Sequence, residues 1–452
     1  MINNMTEGSV AKHLVIFSIP LILSNLLQTL YNVVDMMIVG RFVGSEGLSA
    51  VSVGGDIMHL PLMMCMGFCT AGQVMISQYV GKDDRDNISC TIGTMLTALF
   101  VGFVVLAGVG IAFNGTLLSL MNAPVEAWND ARDYIIVSLM GMVFTFGYNA
   151  FSAVLRGMGD SRRPLIFIAV ATVTNIALDL LFVAVFGMRA FGAALATIIS
   201  QAVSLVCSVI HLYRRRESFG FDFKPSSFAI KKDKLLPLLR MGLPMALQTA
   251  AINISIMAVN AQINALGVTV SAVTGVGNKL RNLGTVITHS VSTAAIAVIA
   301  QNLGARKLDR ASRTVYTALG INFVICTLMA AIFALFPEAI FGMFTEDAEV
   351  ISWARSHIYT VIVHNYASAL MGPFNSLISG LGYASLSLVI GLLDGVVARI
   401  GLALFMGITL GMGALGFWYG GALAGFVTTI LAGAYFFSGR WKRRRLLVDE
   451  KQ

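Results

Sequence analysis

The chain has 452 residues, of which 57% are hydrophobic and 12% charged, with a formal net charge of +8. Soluble domains carry about 25% charged residues because their surfaces face water, so these proportions exclude an ordinary soluble globular protein. The positive charge does not indicate nucleic acid, because it falls in short segments between long apolar runs.

Those runs are long enough to cross a bilayer core of about 30 Å as helices, which takes about 20 residues. In chain order they predict twelve helices, at 14–39, 48–78, 91–113, 133–155, 163–187, 189–213, 236–266, 272–301, 314–336, 352–378, 383–407 and 411–438. The first run is too long for a signal-peptide core and lacks a basic cluster and a small-residue cleavage site, so it is expected to remain as helix 1. The five cysteines, Cys65, Cys69, Cys90, Cys207 and Cys326, lie in or beside apolar runs without metal-ligand spacing, and read as small buried residues.

The connections alternate in charge. The N-terminus and every second connection hold 24 Lys and Arg residues, and the intervening connections hold Arg41, Arg132, Arg189 and Arg355, which is 4. This alternation follows the positive-inside rule and predicts a multi-pass inner-membrane protein with both termini cytoplasmic. The tail from Arg440 to Arg445 reads as a juxtamembrane anchor to anionic lipid.

Displacing the chain by about 223 residues superposes landmarks in order: Pro20 on Pro244, Ser49-Ala50-Val51 on Ser271-Ala272-Val273, Gln78 on Gln301, and Gly157-Met158-Gly159 on Gly380-Leu381-Gly382. The chain therefore reads as an N-terminal six-helix lobe (1–213), a linker (214–235), a C-terminal six-helix lobe (236–438) and a basic tail (439–452). Six crossings per repeat make the repeats parallel, with substrate expected between them near the midplane. Pro20 and Pro244 interrupt the first helix of each repeat and each remove one backbone hydrogen bond, which suits either a static kink or a gate.

An ionisable group inside a membrane helix costs several kcal/mol unless paired or hydrated, so Asp35, Asp56, Asp179 and Asp394 carry the most information. Gln28, Tyr31, Asn32 and Asp35 share one helical face at i, i+3, i+4 and i+7; Asn175 and Asp179 are four apart, as are Thr197 and Gln201. Two carboxylates, an amide and a hydroxyl suit a hard monovalent cation, or equally a shared proton. Near the matching positions of the second repeat stand Val259 and Leu402, so the first half reads as the ion-coupling half. Asp56 with His59 reads as a helix-end charge. Asp394 and Arg399 share helix 11, either as a structural pair or as lining of a second-half cavity.

With these residues the chain resembles the multidrug and toxic compound extrusion family, in its DinF-like branch with acids in the N-terminal lobe. The resemblance rests on Pro20 with Tyr31-Asn32-Val33-Val34-Asp35, Leu155 to Ser161, Asn175 to Asp179, and Gly192 to Thr197. It implies two six-helix lobes around a V-shaped central cavity and export of lipophilic, cationic organic compounds by antiport with Na⁺ or H⁺. Asp35, Asn175, Asp179 and Thr197 match the family's cation-site positions, with Ala193 contributing its backbone carbonyl. Gln28, Tyr31 and Asn149 match polar positions lining the same lobe, and Asn32 and Gln201 are expected beside them. Pro20 matches a kink linked to protonation in some members. Another branch has essential acids on helices 7 and 10, and 236–266 and 352–378 contain none.

The expected partners are small organic substrates and membrane lipid, with no nucleic acid, no cofactor beyond the coupling ion, and a functional monomer. A flippase for lipid-linked precursors would share much of this topology but needs a basic cavity, for which Lys279, Arg281 and Arg399 are the candidate bases. A membrane-embedded enzyme needs a nucleophile–base pair or metal cluster, and neither is visible. A GxxxxGK[ST] phosphate loop is also absent, which disfavours an ATP-driven pump.

Overall fold

The structure, a computed structural model, describes residues 3–449; Met1, Ile2 and the last three residues of the basic tail lie outside the described residues. All regular structure among the described residues is helical. In a bilayer a helix satisfies its backbone groups internally, and the hydroxyls do likewise: Ser18, Ser24 and Thr70 each donate to the carbonyl four residues earlier.

Six long helices come from the first repeat: α1 (Val10–Phe42), α2 (Ser45–Lys82), α3 (Arg85–Ala112), α4 (Trp128–Gly157), α5 (Arg162–Val185) and α6 (Arg189–Arg214). The second supplies α7 (Lys232–Asn264), α8 (Val268–Gly304), α9 (Leu308–Leu335), α10 (Ala354–Gly380), α11 (Ala384–Thr409) and α12 (Gly413–Phe437). Eleven of these are both long and apolar enough to cross a membrane. The remaining one, α10, has 27 residues but carries His357, His364, Asn365 and Asn375. Several helices begin before their apolar runs, α4 at Trp128 rather than 133, because polar end residues continue the hydrogen-bond ladder outside the hydrocarbon.

The chain packs as two units, one built chiefly of Ile19–Ala246 and the other of Met5–Ser18 with the chain from Leu247 onward. The divisions fall inside α1, just before Pro20, and inside α7, just after Pro244. The stretch read as a linker packs within the first unit. Phe221, Phe223 and Phe228 cluster edge to face; Thr97 of α3 donates to the Phe228 carbonyl and the Lys231 N–H donates to Thr94. Ser227 and the Lys224 N–H hold the Asp222 carboxyl down at about 2.

Within the first unit α2 packs on α4, α4 on α6, and α5 on α6; within the second, α8 packs on α10, α10 on α12, and α11 on α12. The repeat is also recorded in the backbone. Left-handed φ angles at Gly44, Asp83 and Gly159 recur at Gly267, Arg306 and Gly382, 223 residues on. Those at Gly187 and Arg189 recur at Gly411 and Gly413, 224 residues on. Between Gly382 and Gly411 the second repeat thus gains one residue. Both α5 and α11 end in a wide π turn, Leu180–Val185 and Phe405–Thr409, but α11 holds a second one, Leu393–Ile400. A π turn closes i→i+5 bonds, so it absorbs an extra residue without breaking the helix.

The basic tail is folded back within the second unit. Trp441, Leu446 and Val448 are buried, Trp441 donates to the Phe436 carbonyl, and Arg306 pairs with Asp449 at 2.7 Å. Lys442, Arg443 and Arg445 remain exposed. All five cysteines are free; Cys65, Cys69 and Cys326 are buried and Cys90 and Cys207 half-buried.

Candidate functional site

In the first unit, polar residues of α1, α4, α5 and α6 converge inside the bundle. Asp35 is 7% exposed and Asp179 fully buried, and their carboxylates stand within hydrogen-bonding reach of each other. Asp179 is the last residue before the first π turn, on a helix that remains unbroken through it. Tyr31, one turn before Asp35, and Tyr134 of α4 both interact electrostatically with the two carboxylates. Asn175, one turn before Asp179, donates Nδ2 to Thr197 Oγ1 at 3.5 Å. Ala193, one turn before Thr197, is fully buried, and Gln201 is buried one turn beyond it.

This cluster is rich in acceptors and poor in donors. Asp35 Oδ1, both Asp179 oxygens, Asn175 Oδ1 and Gln201 Oε1 are buried without a hydrogen-bond partner. Two facing carboxylates cannot bond without a proton between them, and no basic side chain among the described residues acts on Asp35 or Asp179. Buried anions left in this way are costly, and a hard cation or a proton would relieve the cost. The donor set fits Na⁺: carboxylate, amide and hydroxyl oxygens are hard ligands. No group of three His, Cys, Asp or Glu residues that could hold a metal occurs among the described residues.

The residues expected to line the lobe or kink its helices lie around this cluster as follows. Gln28 and Asn32 are exposed, and half-buried Asn149 returns its amide to the Thr145 carbonyl at 2.9 Å. Pro20 and Pro244 lie inside continuous helices. Asp56 and His59 are exposed. Tyr134 was not foreseen, since it sits at the edge of the run predicted for helix 4; the polar Ser138 four residues on, on the same helical face, was the available sign.

The second unit holds a cavity lined by Asn260, Arg281, His357, His364, Arg399 and Trp418, among others. Arg399 Nη2 pairs with Asp394 Oδ2 at 2.9 Å, both side chains being buried, and Nη1 donates to the Gly421 carbonyl at 3.1 Å. The pair therefore exists and Arg399 also lines the cavity. Residues five apart face each other here because the second π turn carries both.

The sequence profile of the MatE family matches residues 20–181 and 244–405, two segments with the same 224-residue spacing. The probable multidrug resistance protein YpnP of Bacillus subtilis is 28% identical over 451 residues, 99% of each chain. Another from that organism, YoeA, is 30% identical over 76% of each. The crystal structure of a MATE in complex with MaD3S superposes with a TM-score of 0.91 at 23% identity, over 98% of this chain and 99% of that one. With the profile present twice, once in each repeat, the chain belongs to the MatE family of membrane transporters.

Proposed function

We propose that this protein exports lipophilic organic compounds, cationic ones among them, by antiport against Na⁺ or H⁺ taken up at the Asp35–Asp179 pair. The observation that carries the reading is the pair itself: two buried carboxylates in mutual reach, with orphaned oxygens around them and no basic side chain among the described residues acting on them. The two Bacillus subtilis relatives, named as probable multidrug resistance proteins, support a multidrug substrate range.

In this reading the bundle accepts substrate while the pair is without its ion. An ion arriving from the opposite side of the membrane neutralises the pair, binds between Asp35 and Asp179 with Asn175 and Thr197, and favours the conformation that releases substrate. Coupling requires that ion and substrate bind the two conformations with different affinities. Tyr31 and Tyr134, which feel the charge of both carboxylates, keep the surroundings of the pair polar in either state. The protein works as a monomer in the inner membrane with both termini in the cytoplasm, as its basic loops suggest.

The test is thermal unfolding of the detergent-purified protein across Na⁺, K⁺ and pH, with Asp179→Asn alongside, since an ion bound only by the folded state raises its stability. A Na⁺-specific rise lost in the variant supports Na⁺ coupling, and a pH response altered in the variant supports proton coupling. Identical behaviour of variant and wild type removes the site.

A further inference from the structure

We propose that the cavity of the second unit is a polarity-inverted copy of the acid site and binds an organic monoanion, a carboxylate carried on an apolar or aromatic body. This stands apart from the cation reading of the first half, because it concerns other residues of opposite charge.

The correspondence is positional and geometric. At the 224-residue spacing Asp35 corresponds to Val259, Asp179 to Ala403, Asn175 to Arg399 and Thr197 to Gly421. Asn175 donates across to Thr197 at 3.5 Å, and Arg399 donates across to the Gly421 carbonyl at 3.1 Å. At the 223-residue spacing Tyr134 corresponds to His357 and Gly54 to Gly277. A Cβ on Gly54 would overlap the Tyr134 ring, and one on Gly277 would overlap the His357 ring. Both halves therefore build one pocket, with a ring seated on a glycine and a cross-helix donor at the same place.

The charges are opposite. The first pocket holds two carboxylates. In the second those positions are Val259 and Ala403, and the fixed charges are the guanidiniums of Arg281 and Arg399 against the single carboxylate of Asp394, a surplus of one positive charge. Asp394 is committed to Arg399. Arg281, half-buried and on the cavity wall, has no hydrogen-bond or ion-pair partner among the described residues, and an unpaired guanidinium at membrane depth is costly. Arg399 Nε is also buried without an acceptor.

The rest of the wall decides what carries the anion. Val259, Val361, Phe417 and Trp418 are apolar surface. Trp418 Nε1 is already spent on Thr274 Oγ1 at 2.9 Å, and His357 packs against the indole at 4.2 Å between ring centroids. A small inorganic anion would leave these walls unused, whereas an aromatic carboxylate covers them while its head meets the Arg281 fork.

The experiment uses the full chain in detergent with potassium benzoate as probe, read by thermal unfolding and equilibrium dialysis in Na⁺-free buffer, with benzamidine as a cation of matching shape. The expected result is saturable binding of benzoate and not of benzamidine. Binding should weaken at least tenfold in Arg281→Met and in Val259→Asp, which places a carboxylate beside the arginines, and only several-fold in Arg281→Lys. Asp179→Asn should retain benzoate binding, and Arg281→Met should retain the Na⁺ or pH response, which also shows that it is folded. Repetition in nanodiscs with and without phosphatidylglycerol tests the anion's class: benzoate binding lost to that phosphodiester headgroup overturns the carboxylate, and undiminished binding supports it. No saturable benzoate binding, equal binding of benzamidine, or binding unchanged in both Arg281→Met and Val259→Asp overturns the proposal.

Discussion

Asn175 and Arg399 occupy one place in two copies of the same pocket, 224 residues apart, and each sends its side chain to the next helix at the matching residue: Asn175 to Thr197 at 3.5 Å, Arg399 to the Gly421 carbonyl at 3.1 Å. Duplication preserved the crossing and exchanged a neutral amide for a guanidinium cation. Residues that hold these crossings are therefore the ones whose replacement is most informative.

Thr197→Ala removes a hydroxyl from the acid cluster and leaves the Asn175 amide without its acceptor. Stabilisation by the coupling ion should weaken about tenfold, equivalent to about 1.4 kcal/mol, with the fold retained. Titrating the unfolding temperature against Na⁺ and against pH checks this, and an unshifted titration would remove Thr197 from the site.

Asp394→Asn leaves the Arg399 guanidinium buried without its counter-charge, the circumstance in which breaking a pair costs about 3–5 kcal/mol. Replacing both residues, as Asp394→Leu with Arg399→Leu, should recover most of that loss, because two apolar groups need no partner. Chemical unfolding in detergent of the single and double variants measures the difference. A double variant no better than the single one would mean that the pair also shapes the π turn.

Gly93 packs against the stretch joining the two repeats, where a Cβ would fall on the Ser227 carbonyl. Gly93→Val should therefore undock that stretch, with a penalty of about 1–3 kcal/mol for the overpacking. Limited proteolysis reads the effect directly, as faster cleavage between residues 215 and 231 while the helices stay intact.

Arg310 ties down the N-terminal segment of the second unit, donating to the carbonyls of Met5, Glu7 and Gly8 and to Asn302 Oδ1. Hydrogen bonds from a charged donor are worth about 1.5–3 kcal/mol each, so Arg310→Ala should release residues 5–8. Amide exchange at Met5, whose N–H donates to Gln301 at 3.0 Å, should accelerate by at least tenfold. Exchange in the middle of α9 should stay as it was.

The sequence alone determined the number of long helices, the duplication and the acidic residues at membrane depth, because these follow from local quantities. Apolar run length sets a membrane crossing, constant spacing sets a repeat, and a carboxylate at membrane depth is conspicuous in any arrangement. Four-residue spacing put Asn175 with Asp179 and Thr197 with Gln201 on shared faces. Which faces meet depends on how the helices pack, and only the tertiary structure brought Asp35 to Asp179, added Tyr134, and left Gln28 and Asn32 exposed. The sequence comparison could see a 223- or 224-residue spacing but could not place the extra residue, since a single insertion is silent in an apolar run. The backbone places it between Gly382 and Gly411, and the only added π turn there is the one of α11 that pairs Asp394 with Arg399. Five-residue spacing in an ordinary helix would have set those two apart. The sequence named Arg281 and Arg399 as candidate bases of a cavity, but only the fold set them in one pocket opposite Val259, because charge inversion is a property of aligned positions in space and not of either half read by itself.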